Sequence, residues 1–144
     1  MRLVLPTTQD ESQEFADWLA RQHGSAAWHR NGAFYAYGLK DGDEIRAAII
    51  IEPFHSERSY LLSTAMNTPD VMKHRELLKH VFSVPFSKAF DANRISLIIE
   101  DTYTRVIRVA EILGFVVEGN LPNHFGENSG VLLGMTKDPL GLAG

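Results

Sequence analysis

The side chains able to do chemistry in this 144-residue chain are eighteen carboxylates, six histidines and no cysteine. Without cysteine there is no disulfide, no thiolate metal ligand and no thiol nucleophile. The histidines do not form a ligand set either. His74 and His80 share no helix face, His55 has only Glu57 nearby, and His124 falls in the polar loop between the last strands. His23 precedes a helix-ending glycine, where a cation suits the helix dipole. No metal site is expected. Among the carboxylates, Glu52 closes the apolar run Ala47-Ala48-Ile49-Ile50-Ile51 and, standing before Pro53, reads as an exposed strand-terminal residue. Glu100 and Asp101 end a second apolar strand, where α/β sheets commonly carry ligand groups, although Asp101 serves equally as a helix N-cap. Lys73, His74 and Arg75 gather positive charge one turn into a helix, as an anion site or as solvated residues.

These residues need elements to hold them. Leu3 to Leu5 predicts a short strand closed by Pro6, and Thr8-Gln9-Asp10-Glu11 is a capping box ahead of Phe15, Trp18 and Leu19 at helical spacing. Gly24 ends that helix, and Ser25 to Gly32 is a loop or a short second helix. Two strands, Ala33 to Leu39 and Ile45 to Glu52, flank an Asp41-Gly42 hairpin turn. Arg58 to Ala65 is a further strand. Thr68 to Phe90 is helical, with Pro85 expected to kink or break it. Arg94 to Glu100 is dense in Ile and Leu, as a strand buried on both faces would be. A helix capped by Asp101 or Thr102 follows, with Val106, Ile107, Val109, Ala110 and Leu113 on one face and Gly114 as its left-handed C′ residue. Phe115 begins another apolar strand. Strand after strand in the first half implies an antiparallel meander. The two helical crossovers then imply one parallel pair, 58–65 beside 94–100.

The run from Arg94 to Gly119, with Leu113-Gly114-Phe115, Glu118-Gly119 and the later Leu132-Leu133-Gly134-Met135, resembles the closing half of the GCN5-related N-acetyltransferase (GNAT) superfamily. In motif terms the resemblance is confined to about residues 94–136; in element order it covers nearly the whole chain. It implies an α/β (α+β) fold with a mixed sheet of six to seven strands, an N-terminal meander, one splayed parallel pair and about four helices. It also implies transfer of an acetyl group from acetyl-CoA to an amine, in a cleft where the two parallel strands part.

The same resemblance assigns candidate residues. Glu52 stands where the family can place a base. The backbone of the 58–65 strand, with Ser63, Ala65 and Met66, would hold the cofactor, and Lys73, His74 and Arg75 would lie near its phosphates. Three departures fall in that cleft. The family's glycine-rich phosphate loop corresponds to Ala65-Met66-Asn67-Thr68-Pro69-Asp70, which contains no glycine. It reads instead as a helix start, with Thr68 as N-cap, Pro69 at N1 and Asp70 repelling a pyrophosphate. The usual catalytic tyrosine corresponds to Ala110, and a cofactor-ordering asparagine to Tyr103, which could stack on an adenine or cap the strand end. Two functions follow: an N-acyltransferase with weak or lost activity, or a non-catalytic GNAT-fold structural or interaction protein, such as a bacteriophage virion component.

Composition narrows the partners. Hydrophobic residues at 44% and charged residues at 22% are ordinary globular values. A formal charge of −4 with no basic block argues against a nonspecific nucleic-acid binder. No segment approaches a membrane span or a signal peptide, so a soluble cytoplasmic protein is expected, or a virion component under the second function. One domain is expected over 1–138, with 139–144 as a loose tail.

Overall fold

The computed structural model describes residues 1–23, 34–67 and 73–137. The expected short element at 25–32, the helix start at 68–70 and the tail 139–144 lie outside them. The elements are β1 (Arg2–Val4), α1 (Gln9–Gln22), β2 (Tyr35–Asp41), β3 (Glu44–Phe54), β4 (Ser56–Met66), α2 (Arg75–Ser83), β5 (Arg94–Glu100), α3 (Thr104–Ile112), β6 (Val116–Phe125) and β7 (Asn128–Thr136). The strands form a seven-stranded mixed sheet in the order β1-β2-β3-β4-β5-β7-β6. β4 and β5 are the parallel pair, and the other pairs are antiparallel. Among the described residues there are three α-helices where about four were expected. The chain divides into two compact units, Met1–Pro53 with Leu62–Val84, and Phe54–Leu61 with Pro85–Gly144, so β4 changes unit between Leu61 and Leu62.

In the first unit the local signals act as read. Thr8 Oγ1 accepts the Glu11 N–H at 3.2 Å, the forward half of the capping box, while the Glu11 carboxylate accepts the N–H of Thr7, one residue before the N-cap, at 3.3 Å. The β2–β3 hairpin turns at Gly42, whose φ of 62° suits glycine. Register shifts at Leu39/Lys40, so that Leu39 faces Ala47 while Lys40 faces Ile45. This bulge brings Ile45 onto the same face as Ala48 and Ile50, where Phe15, Ala16 and Leu19 of α1 pack with Ala36. Gly38 permits the close approach: a Cβ there would run into the Ala47 carbonyl oxygen and lie 2.9 Å from the Phe15 ring. Ser12, buried in α1, receives the Ala36 N–H at 2.8 Å and donates to the Ala36 carbonyl at 3.2 Å. Tyr37 points to the opposite face, where its hydroxyl donates to the Val81 carbonyl of α2 at 2.6 Å. Burial, with Tyr35 nearby, pushes that phenol far above its ordinary range.

α2 ends at Ser83, and Val84–Phe86 tightens into a 3₁₀ turn around Pro85, which is the break expected of a proline without a donor. In the second unit β5 pairs with β7 over seven residues, from Arg94↔Thr136 to Glu100↔Gly130. β6 pairs with the other side of β7 and carries two register shifts. α3 closes as read, with Gly114 at φ 112° and the Phe115 N–H returning to the Ala110 carbonyl at 3.0 Å.

Three local expectations are corrected. β3 does not stop before Pro53 but continues through it to Phe54, because a strand tolerates proline where the ladder does not call on its missing N–H. Neither Asp101 nor Thr102 caps α3. The Tyr103 N–H bonds the Glu100 carbonyl at 3.0 Å, a turn that delays the helix until Thr104, and its N-cap is Tyr103. His124 lies within β6 rather than in a loop.

Candidate functional site

Glu52, Ser63, Ala65, Met66, Lys73, His74 and Arg75 belong to the first unit, and Tyr103 to the second. Glu52 is not the exposed residue its place before Pro53 implied. It is 8% exposed, because β3 continues past it and alternation turns it to the face that carries Ala48, Ile50 and α1. A carboxylate so enclosed has lost most of its water and is sensitive to any proton donor beside it.

On β4, Ala65 packs against the α1-side cluster. Alternation puts the half-buried Ser63 on that face as well, and Met66 on the opposite one. Between them, the Thr64 carbonyl oxygen lies 3.0 Å from Nε2 of His23, the C-cap residue of α1. Sequence reasoning had given His23 only a dipole role. The signal that could have found this contact is helix length: from Ser12 to His23 α1 advances about 16 Å, while β4 lies two strand spacings of about 4.8 Å from β2. A helix anchored over β2 therefore brings its C-terminus to β4.

α2 begins at Arg75, and its N-cap, His74, makes no side-chain capping bond. The first helical bond runs from the Leu78 N–H to the His74 carbonyl at 2.9 Å. Lys73, His74 and Arg75 are exposed at the end of the helix where cations oppose the dipole. The only acid in the first turn, Glu76, pairs with Lys79 at 3.3 Å. An uncapped helix start edged with basic side chains suits an anion. In this respect the described residues fit the phosphates of acetyl-CoA.

Tyr103 closes the turn after β5 through its backbone and is itself 57% exposed. Ala110 is buried in α3 and carries no proton donor. Among the described residues, no group of three His, Asp or Glu side chains is arranged to hold a metal, and no helix is long and apolar enough to cross a membrane.

No protein-family model matches the sequence, and no curated protein matches it. Solved structures do match in shape. A spermidine N-acetyltransferase SpeG chimera from Vibrio cholerae and hSSAT superposes with a TM-score of 0.73 at 14% identity, over 94% of this chain and 96% of that one. A dodecameric spermidine N-acetyltransferase from Vibrio cholerae gives 0.71 at 14% identity, over 94% of each chain. A GNAT-family acetyltransferase from Bacillus anthracis gives 0.67 at 13% identity, over 96% of each chain. At these TM-scores and coverages, this chain has the fold of the GNAT acetyltransferases.

Proposed function

We propose that the chain binds acetyl-CoA and passes its acetyl group to an amine. The observation that carries the reading is the GNAT fold combined with an uncapped, basic start to α2. In this reading Lys73, His74, Arg75 and the first N–H groups of α2 hold the phosphates, and the β4 backbone around Ser63, Ala65 and Met66 lies along the rest of the cofactor. Bound acetyl-CoA supplies an activated acyl carbon and a thiolate leaving group. Glu52 takes the proton that the attacking amine must lose. The acceptor is a small amine such as spermidine, the substrate named for the V. cholerae proteins of like shape.

A second reading, binding without turnover, is favoured by Ala110. Where many of these enzymes offer a tyrosine to protonate the departing thiolate, this chain has a buried methyl group, so a protein partner would replace the amine. Titration with acetyl-CoA tests both readings. At a hundred times the dissociation constant, binding should stabilise the fold by about 2.7 kcal/mol. Binding with release of free thiol in the presence of spermidine or another amine supports transfer. Binding without thiol release supports the second reading, and no thermal shift up to millimolar acetyl-CoA refutes transfer and favours a non-catalytic structural or interaction protein.

A further inference from the structure

We propose that Phe34 sets the class of acceptor: the site takes a primary amine at the end of a methylene chain and rejects amines that carry a carboxylate on the carbon next to nitrogen. The proposal rests on the reading above, in which Glu52 takes the acceptor's proton.

Phe34 and Glu52 are cross-strand neighbours. Tyr35 faces Ile51 and Ala36 faces Ile50, so one further step of the same antiparallel register sets Phe34 opposite Glu52. Alternation turns both to the face of Ala36 and Ile50, and Phe34 packs, half-buried, against the cluster those two residues form with α1. Residues opposed in this way hold their Cβ atoms about 5 Å apart. A nitrogen that reaches the Glu52 carboxylate therefore lies beside the Phe34 ring.

The two side chains suit the two parts of an alkylammonium ion. The carboxylate attracts the positive nitrogen, and the ring face attracts it too when it comes within about 6 Å of the centroid. The ring also covers the methylenes next to the nitrogen, which gain by leaving water. An anionic substituent fares differently. The neighbouring side chains on this face, Ala36, Ala48 and Ile50, carry no donor. The cations of β2 and β3, Lys40 and Arg46, stand six positions along their strands from Phe34 and Glu52, about 20 Å away. They are engaged by Glu14 and Glu44 at 3.6 and 3.5 Å. A carboxylate beside the reacting nitrogen would face Glu52 with like charge and meet no counter-ion on these two strands.

The test compares thiol release from acetyl-CoA with n-butylamine and with 2-aminopentanoate, the same chain bearing a carboxylate on the carbon next to nitrogen. Wild type should favour n-butylamine by about 100-fold in kcat/KM, the scale of a like-charge contact. Phe34→Ala should raise the KM for n-butylamine about tenfold and leave kcat within about twofold, because the ring binds the chain and takes no part in proton transfer. Phe34→Leu, apolar but without the aromatic face, should fall between the two. Acetyl-CoA should bind all three proteins alike. Saturation-transfer NMR on the protein without acetyl-CoA should mark the two methylenes nearest the n-butylamine nitrogen, and mark them less in Phe34→Ala. If neither variant folds, the wild-type ratio and the NMR pattern decide. Similar rates with the two amines, turnover of spermidine with neither of them, or an unchanged KM in Phe34→Ala overturns this proposal alone. Thiol release with no amine overturns acetyl transfer and the proposal with it.

Discussion

Gly134 sits beneath an ion pair, and removing that space has a calculable consequence. Arg94 of β5 and Glu118 of β6 reach towards each other across β7. Nη1 donates to Oε2 at 3.0 Å and Nη2 donates to Oε1, with the two side chains 33% and 32% exposed. Gly134 faces Ser96 on one side and Val116 on the other. A Cβ at position 134 would run into Glu118 Oε1 and Arg94 Nη2. Both atoms end flexible side chains, so Gly134→Ala displaces the pair and leaves the backbone in place. A bidentate pair at this exposure is worth about 1 kcal/mol after allowance for screening. Alanine in place of glycine within a strand returns about 0.5–1 kcal/mol through the unfolded chain. Gly134→Ala alone should therefore be near neutral, at most about 0.5 kcal/mol destabilising. In a Glu118→Ala background the obstacle is gone, and the same substitution should stabilise by about 0.5–1 kcal/mol. The coupling between the two sites is about 1 kcal/mol, or about 4 °C in Tm for a domain of this size. Urea denaturation of wild type, both single variants and the double variant measures it. Additivity to within about 0.3 kcal/mol would show that the glycine does not serve the ion pair.

Two other perturbations follow from the same geometry. Gly38→Ala meets a backbone carbonyl at Ala47 and the buried Phe15 ring, neither of which can swing aside, so it should destabilise by about 3 kcal/mol; a loss below about 1 kcal/mol in urea would mean that α1 and β3 yield more than a packed core does. Asp91, held by Lys137 at 3.1 Å and Arg58 at 3.2 Å, has its carboxyl lowered from the ordinary value of 3.8, chiefly by the Lys137 hydrogen bond and by the Arg58 charge. Because the folded value is the lower one, the stabilisation is complete above the unfolded value and fades as pH falls through the folded one. Asp91→Asn, which tolerates the left-handed backbone at φ 49°, should lower Tm near neutrality by an amount that shrinks below about pH 4. A wild-type-to-variant difference that stays constant across this range would contradict the assignment.

Much of the candidate site was legible only as residue types. That Lys73, His74 and Arg75 gather near the start of a helical stretch could be read from the chain; the described helix α2 runs from Arg75, and the expected start at Thr68 lies outside the described residues. Proline after Glu52 made it look like a strand end. What buries it is the continuation of β3 and the placement of α1 on that face, and neither is a property of residues 47–53 taken alone. His23 was legible as a helix end, yet its partner lies forty-one positions away.

By itself the sequence determined features that depend on a few consecutive residues. These are the Thr8–Glu11 capping box, the Asp41-Gly42 turn, the break at Pro85, the left-handed Gly114 and the alternation of strands and helices from which a GNAT-like order could be read. Each follows from backbone sterics and from hydrogen bonds that close within four or five positions. Tertiary structure alone decided that β7 lies between β5 and β6, that Arg94 and Glu118 meet above Gly134, and that His23 closes on Thr64. Those contacts join residues distant in the chain, and their energies become available only after the sheet has brought its strands side by side.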